Sequence, residues 1–125
     1  MNETAQRYTK RFLANVEGLE PMKVQANTPK RLERLVKGVS AAKVRKRPAP
    51  DRWSVAEILA HLADAEIVIE LRMRLILGSP GARIQPFDQD SWVTALHYEK
   101  RDPRKDMSQQ RALREANLAL LKRLT

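Results

Sequence analysis

The stretch that decides the fold is residues 53–78, WSVAEILAHLADAEIVIELRMRLILG. Ser54 and Glu57 form a capping-box pattern, in which the serine oxygen accepts a backbone N–H three residues on and the glutamate accepts the N–H of the serine. We therefore predict a helix that begins after Ser54 and runs to Leu77, with Gly78 just past its end. The predicted buried face recurs at helical spacing. It consists of Ile58, Leu62, Ala65, Ile69, Met73 and Ile76.

Apolar residues recur with a helical rather than an alternating period along the rest of the chain. Further helical segments are predicted at about residues 4–19, 28–39, 92–98 and 108–125. The second of these segments has Thr28 as its cap and Pro29 in its first turn. Residues 41–52 are predicted to form a non-helical linker, because Pro48 and Pro50 block a helix.

These segments indicate an all-α protein, and we predict an antiparallel helical bundle. A length of 125 residues predicts a single domain over residues 1–125. The last helix is still amphipathic at Thr125, without a glycine cap. Two explanations stay open: a protein that ends on a helix, or a sequence shorter than the domain to which it belongs.

The composition excludes several functional classes. The chain has no cysteine, so disulfide scaffolds, thiolate zinc sites and cysteine nucleophiles are excluded. Its apolar runs are far shorter than the roughly 20 residues that cross a bilayer, so no membrane span is expected. The net charge is +9, with a basic cluster at residues 43–47. Because aromatics that could stack on bases are few and no recognition motif is present, we interpret that cluster as a solvated loop and expect no nucleic-acid binding.

His61 is the candidate metal ligand. On a helical wheel it lies on the shoulder of the predicted buried face, with Glu57 one turn before it and Asp64 one turn after it. This spacing fits a metal ligand with carboxylate support or a histidine paired with acids, and it leaves both open. Residues 53–98 carry a net charge of −3 in a chain of +9. The surroundings of His61 therefore suit a cation better than a phosphate.

The two tryptophans are interpreted as core residues rather than ligand stackers. Trp53 immediately precedes the cap Ser54, a position from which an apolar side chain packs back on the first helical turn, here near Ile58. Trp92 is predicted to anchor the short helical piece around it to the bundle.

Three segments resemble the DinB-like (DinB/YfiT) superfamily of bacterial four-helix-bundle metalloenzymes. The most specific is RPAPDRWSVAEILAHLADAE at residues 47–66, and FDQDSW at 87–92 and RALREANL at 111–118 support it. The resemblance covers roughly residues 28–125. It implies a DinB-like four-helix bundle, a bacterial and cytoplasmic protein, and a small-molecule substrate.

The resemblance also implies a divalent metal, commonly nickel or zinc, held by three histidines. The first of these histidines is His61, and the other two come from a His-x-x-x-His pair on the family's last helix. This sequence contains no such pair, and His97 lies in a different part of the pattern. We therefore expect metal to be absent or weakly bound in this chain. Catalytic and cofactor-binding residues stay unassigned.

Two functions are compatible with these observations, of which the resemblance implies the first. The first is a metal-dependent enzyme of thiol transferase or hydrolase type whose metal site is incomplete in this chain. The alternative is a non-catalytic, oligomeric helical-bundle binding protein. A bundle without its closing helix leaves apolar stripes uncovered, so we predict a homodimer or higher oligomer. Its interface is predicted to contain Leu113, Leu120 and Leu124.

Overall fold

The computed structural model describes residues 3–124 and confirms the all-α fold. Its helices are α1 (Ala5–Ala14), α2 (Pro21–Val36), α3 (Ala41–Arg45), α4 (Val55–Gly78), α5 (Gln89–Ala95) and α6 (Pro103–Lys122). One turn of 3-10 helix, Tyr98–Lys100, precedes α6. No strand occurs in this range, and none of the helices described is long and apolar enough to cross a membrane. Thr125, where two explanations for the helix end were left open, lies outside the described residues.

The bundle is built on α6, which packs along both α4 and α2. Leu59 of α4 and Met107 of α6 line one cleft, and further along both helices Asn117 donates a hydrogen bond to Glu66. The contacting residues have rising numbers in the same direction along both helices, so α4 runs parallel to α6. The chain returns to the start of α4 through α5 and the 3-10 turn, which makes this parallel pairing possible.

The second long helix lies antiparallel to α6, as the predicted bundle requires. Arg111 forms an ion pair with Glu33 at 3.0 Å, and Arg114 donates to the backbone carbonyl of Gln25 at 3.0 Å. The contacting residues thus have rising numbers along α6 and falling numbers along α2, as expected for antiparallel helices. The predicted helical bundle is confirmed, with antiparallel packing of α2 on α6 and parallel packing of α4 on α6.

The capping box predicted at Ser54 and Glu57 is formed. The backbone N–H of Glu57 donates to Ser54 Oγ at 3.1 Å, and the backbone N–H of Ser54 donates to Glu57 Oε2 at 2.7 Å. The helix continues to Gly78. Both capping residues are buried, so this helix start is also part of the interior.

The predicted start of the second helix was wrong. The second helix begins at Pro21 rather than at Thr28, because the Glu20 carboxylate caps it by accepting two backbone N–H groups. Pro29 therefore lies inside α2, where it cannot donate the usual hydrogen bond to the carbonyl of Gln25. The guanidinium of Arg114 donates to that carbonyl instead, and this explains how the helix accommodates the proline.

The other boundary errors come from caps that apolar periodicity does not show. Ser40 caps the short helix α3 inside the predicted linker, through its side-chain bond to the backbone N–H of Lys43. Asp102 caps α6 at Pro103, which places the start of this helix more than one turn before Ser108. In both cases a polar cap outside the apolar stripe sets the helix start.

The predicted buried face of α4 was wrong in phase. The buried residues are Ala56, Glu57, Leu59, Ala60, Ala63, Asp64 and Glu66, whereas Ile58, Ile69 and Ile76 are 42%, 39% and 54% exposed. The side of α4 that meets α6 carries alanines and carboxylates, because arginines from elsewhere in the chain neutralise those carboxylates. Apart from Leu59, the large apolar residues of α4 are exposed or only half-buried.

A small apolar cluster holds the loop side of the bundle together. Tyr98, Val93 and Ala60 are buried in it, and Trp53 and Trp92 pack against it. The predicted anchoring role of Trp92 is confirmed. Trp53 is half-buried, and it packs on this cluster and on the ring of His61 in α4.

The start of α4 yields the first prediction. Ser54→Ala removes a buried N-cap acceptor and is expected to lower the free energy of unfolding by about 1 kcal/mol. Trp53→Ala is expected to cost about 2–3 kcal/mol, below the range for a fully buried tryptophan because the ring is half-exposed. Urea denaturation of the two variants tests this order. A Trp53→Ala midpoint equal to or above that of Ser54→Ala would contradict the packing described.

Candidate metal centre

His61 lies in the second turn of α4, half-buried against Trp53. The two ring centroids are 5.3 Å apart, with a tilt of 58° between the planes. Burial lowers the pKa of His61, and the carboxylates of Asp64 and Asp90 oppose that shift. The imidazole is therefore mostly neutral at pH 7, the form that binds a metal ion.

Glu57, the carboxylate one turn before His61, is committed to structural contacts. Besides capping α4, it accepts hydrogen bonds from the guanidinium of Arg47, with Nε at 3.0 Å from Oε2. That hydrogen bond is the main reason the pKa of Glu57 lies below its usual range. The side chain is 1% exposed, and its oxygens face Arg47 and the helix start. It is not free to support a metal at His61.

Asp64, the carboxylate one turn after His61, is committed as well. It accepts hydrogen bonds from the Tyr98 hydroxyl at 2.9 Å, from Arg101 at 2.7 Å and from Gln109 at 3.4 Å. Burial, and then the hydrogen bond to Asp64, raise the pKa of Tyr98, so its hydroxyl stays protonated as the donor. Both carboxylate oxygens of Asp64 therefore already accept hydrogen bonds, which does not favour the interpretation of Asp64 as support for a metal ligand.

Arg101 joins two buried carboxylates, those of Asp64 and Asp106. Burial raises the pKa of Asp106, and the hydrogen bond from Arg101 opposes this shift. The second oxygen of Asp106, Oδ2, is buried with no hydrogen-bond partner in the described part of the chain. This ion triad was missed in the sequence analysis, because Arg101 lies 37 residues from Asp64.

A second buried ion pair lies further along the α4–α6 contact. Glu66 is 3% exposed and accepts hydrogen bonds from Arg114, with Nε at 2.8 Å, and from Asn117 at 3.3 Å. Arg114 also reaches α2 through the carbonyl of Gln25. One guanidinium therefore connects all three long helices.

His97 takes no part in the region around His61. It has a left-handed backbone, with φ 50°, its side chain is 63% exposed, and its Nδ1 lies 3.4 Å from Glu99 Oε1. It precedes the 3-10 turn on the loop between α5 and α6. Among residues 3–124, His97 belongs to no group of three histidine, aspartate or glutamate side chains that could hold a metal ion.

The donor set was tested against a nickel or zinc site, which needs at least three protein ligands. Within residues 3–124, no three histidine, aspartate or glutamate side chains are grouped so that they could hold a metal ion. His61 offers one imidazole, and its neighbouring carboxylates bind arginines. The residues described do not fit such a site, and we derive no reaction step through a metal.

A comparison with known protein families shows the family of this chain. The family model of the DinB superfamily matches residues 26–125. The chain belongs to the DinB superfamily. The resemblance stated from the segments around His61 and Trp92 is thereby confirmed.

A solved structure shows the same fold. YfiT from Bacillus subtilis, described as "a probable metal-dependent hydrolase with an unusual four-helix bundle topology", matches with a TM-score of 0.77 and 21% identity. The match covers 99% of this chain and 65% of YfiT, so the chain spans about two thirds of the length of that protein. At this identity the likeness supports the fold alone. No curated protein sequence matches the chain.

Proposed function

We propose that this DinB-superfamily chain contributes one metal ligand, His61, to a metal-dependent enzyme of hydrolase or thiol transferase type. Family membership and the description of YfiT as "a probable metal-dependent hydrolase" support this proposal. The remaining ligands would come from sequence outside residues 3–124 or from another protein. A second copy of the chain would add only another His61, which leaves such a site short of three imidazoles.

The state of the His61 side chain is the observation that carries the proposal. Its ring is partly accessible, burial lowers its pKa, and the carboxylates of Asp64 and Asp90 oppose that shift. A neutral imidazole is a ligand for a metal cation rather than for an anion. The other histidine is an exposed loop residue. Binding of a divalent metal ion by His61 is therefore the function that this region supports best, and we propose nickel or zinc as the ion.

A histidine-specific titration tests the role of His61. Zn²⁺ is added to ¹⁵N-labelled protein, and the ring signals of the two histidines are followed by NMR. We expect weak binding that shifts the signals of His61 first. His61→Ala should abolish this response, and the matched variant His97→Ala should retain it. An unchanged zinc affinity in His61→Ala would rule out the proposed role.

The second candidate function, a non-catalytic oligomeric binding protein, is favoured by the amount of exposed surface. A compact monomer of 14.4 kDa exposes about 6,800 Å², whereas this chain exposes 9781 Å². The excess is about 3,000 Å² per chain, more than the roughly 1,000–2,500 Å² that each partner buries in an obligate interface of about 2,000–5,000 Å² in total. Much of the exposed surface is apolar. On α4 alone it includes Ile67, Leu71, Leu75, Ile76 and Leu77.

We therefore propose that the chain forms a homodimer, for which light scattering is the test. Leu113 and Leu120 of the predicted α6 interface are half-buried within the protomer, so the exposed half of α4 supplies more of the available area. Ile67→Glu combined with Leu71→Glu is expected to yield monomer at micromolar concentration. Arg83→Glu, an exposed loop change, serves as the control and should stay dimeric. A wild-type monomer that does not change with concentration would contradict the prediction.

The setting of the proposed enzyme follows from the resemblance. We propose a bacterial, cytoplasmic protein that acts on a small molecule, without a role for nucleic acid. The basic segment at residues 43–47 forms most of α3 and the residues after it, and Arg47 within it is bound to Glu57. At least this arginine therefore has a structural role rather than a phosphate-binding one.

A further inference from the structure

A cleft of about 800 Å³ lies between α2, α3, α4 and the first turn of α6. This volume falls within the range of small-molecule sites, about 300–1,000 Å³. Neither His61 nor Trp53 lines it, so the cleft is separate from the candidate metal centre. It is formed where α2 and α4 pack on α6, together with the segment that contains α3.

The floor of the cleft is apolar. Val44 of α3 and Leu59 of α4 are buried there, 7% and 3% exposed, and Val36 and Met107 cover its sides while half-buried. These residues come from four different helices. The cleft can therefore receive an apolar body without exposing buried polar groups.

The rim of the cleft is positively charged. Three cationic side chains line it, those of Lys37, Arg45 and Arg104. Arg45 is held in place by hydrogen bonds to two backbone carbonyls, those of Glu99 at 2.7 Å and Arg101 at 2.9 Å. These carbonyls carry no net charge, so the positive charge of the guanidinium is not cancelled by them.

Two acidic residues also line the rim. Glu33 forms an ion pair with Arg111 at 3.0 Å, whereas Asp102 accepts the uncharged backbone N–H of Arg104 at 2.9 Å as the cap of α6 and keeps its negative charge. Neither Lys37 nor Arg104 has a carboxylate partner among residues 3–124. Three cations against the one carboxylate without a cationic partner in the described range, that of Asp102, leave the opening of the cleft with an excess of positive charge beside an apolar floor.

We propose that this cleft binds an amphipathic anion, a small molecule with an apolar body and a single carboxylate or phosphate head. The apolar body occupies the floor at Val44 and Leu59, and the head lies among Lys37, Arg45 and Arg104. Charge complementarity selects the anion, because a neutral or cationic molecule of the same size gains nothing from the rim. This site is independent of metal binding at His61.

Decanoate is the probe that tests the proposal, with 1-decanol and decyltrimethylammonium as matched neutral and cationic probes. Titration calorimetry is expected to show decanoate binding at least about tenfold tighter than 1-decanol, equivalent to about 1.4 kcal/mol, and no binding of the cation. Decyl phosphate distinguishes the two head groups, and tighter binding of either one supports the site. Methyl signals of Val44, Leu59 and Met107 should shift with decanoate.

The decisive variant is Lys37→Glu combined with Arg104→Glu, which reverses two exposed charges of the rim. We expect it to weaken decanoate binding at least about tenfold. Lys30→Glu combined with Lys105→Glu is the matched control, because it makes the same charge change on the same two helices outside the cleft. The control should bind within about twofold of wild type. Equal binding by decanol and decanoate, equal loss in both variants, or no binding at millimolar decanoate would overturn the proposal.

Discussion

Arg101→Ala is expected to lower the free energy of unfolding by about 3–5 kcal/mol, because it leaves two buried carboxylates without their shared cation. Asp64 and Asp106 are 7% and 3% exposed, and Arg101 binds both. Asp64 keeps the Tyr98 hydroxyl and Gln109 as donors, whereas Asp106 loses its only hydrogen-bonded cation. Urea denaturation at pH 7 measures the effect.

The matched control for this variant is Arg111→Ala, which removes an arginine from α6. Arg111 also pairs with two carboxylates, Glu33 and Glu115, but all three side chains are more than 40% exposed. Surface pairs of this kind contribute about 0–1 kcal/mol. If Arg101→Ala cost no more than Arg111→Ala, the triad around Arg101 would not be a stabilising part of the α4–α6 contact.

Arg114→Ala is expected to have an effect of similar size, about 3–5 kcal/mol, since it leaves Glu66 buried with only Asn117 as donor. The same change removes the hydrogen bond to the Gln25 carbonyl. That carbonyl lacks its normal helical donor because Pro29 has no N–H. The loss should therefore affect the packing of α2 as well as that of α4.

A double-mutant cycle separates the two contributions of Arg114. Pro29→Ala restores the backbone N–H that can bond to Gln25. We expect Arg114→Ala to cost less in the Pro29→Ala background than in the wild type, by about 0.5–1.5 kcal/mol for one hydrogen bond. Strict additivity of the two changes would show that the bond from Arg114 to Gln25 does not contribute to stability.

The start of α4 could be predicted from the sequence because its determinants are local. Ser54 and Glu57 are three residues apart, and each satisfies a backbone group of the other. The same reasoning misplaced the start of α2, because Thr28 followed by Pro29 imitates a cap while Glu20 provides the real one. Local patterns identify a helix start only where no competing cap lies upstream.

The buried face of α4 could not be predicted from hydrophobicity, because the contact with α6 buries charged residues. Glu66 and Asp64 enter the interior only because Arg114 and Arg101 neutralise them from 48 and 37 residues away. Hydrophobic periodicity assigns such carboxylates to solvent and isoleucines to the core. The tertiary ion pairs reverse that assignment here.

The candidate site was predicted in part. His61 was identified from its segment, and the structure places it half-buried with a lowered pKa. Whether its two flanking carboxylates support a metal was left open by the spacing, and both are bound to arginines that the sequence gives no reason to place there. Which charges are free depends on the packing of distant segments.

The central claim is that His61 is one ligand of a metal site that this chain does not complete. Elemental analysis of the purified chain after dialysis tests it most directly, with His61→Ala and His97→Ala measured alongside. We expect well under one equivalent of zinc or nickel per chain, because one imidazole gives only weak and exchangeable binding. A stoichiometric metal that is lost in His61→Ala and kept in His97→Ala would contradict this account, since further ligands would then complete the site within the chain.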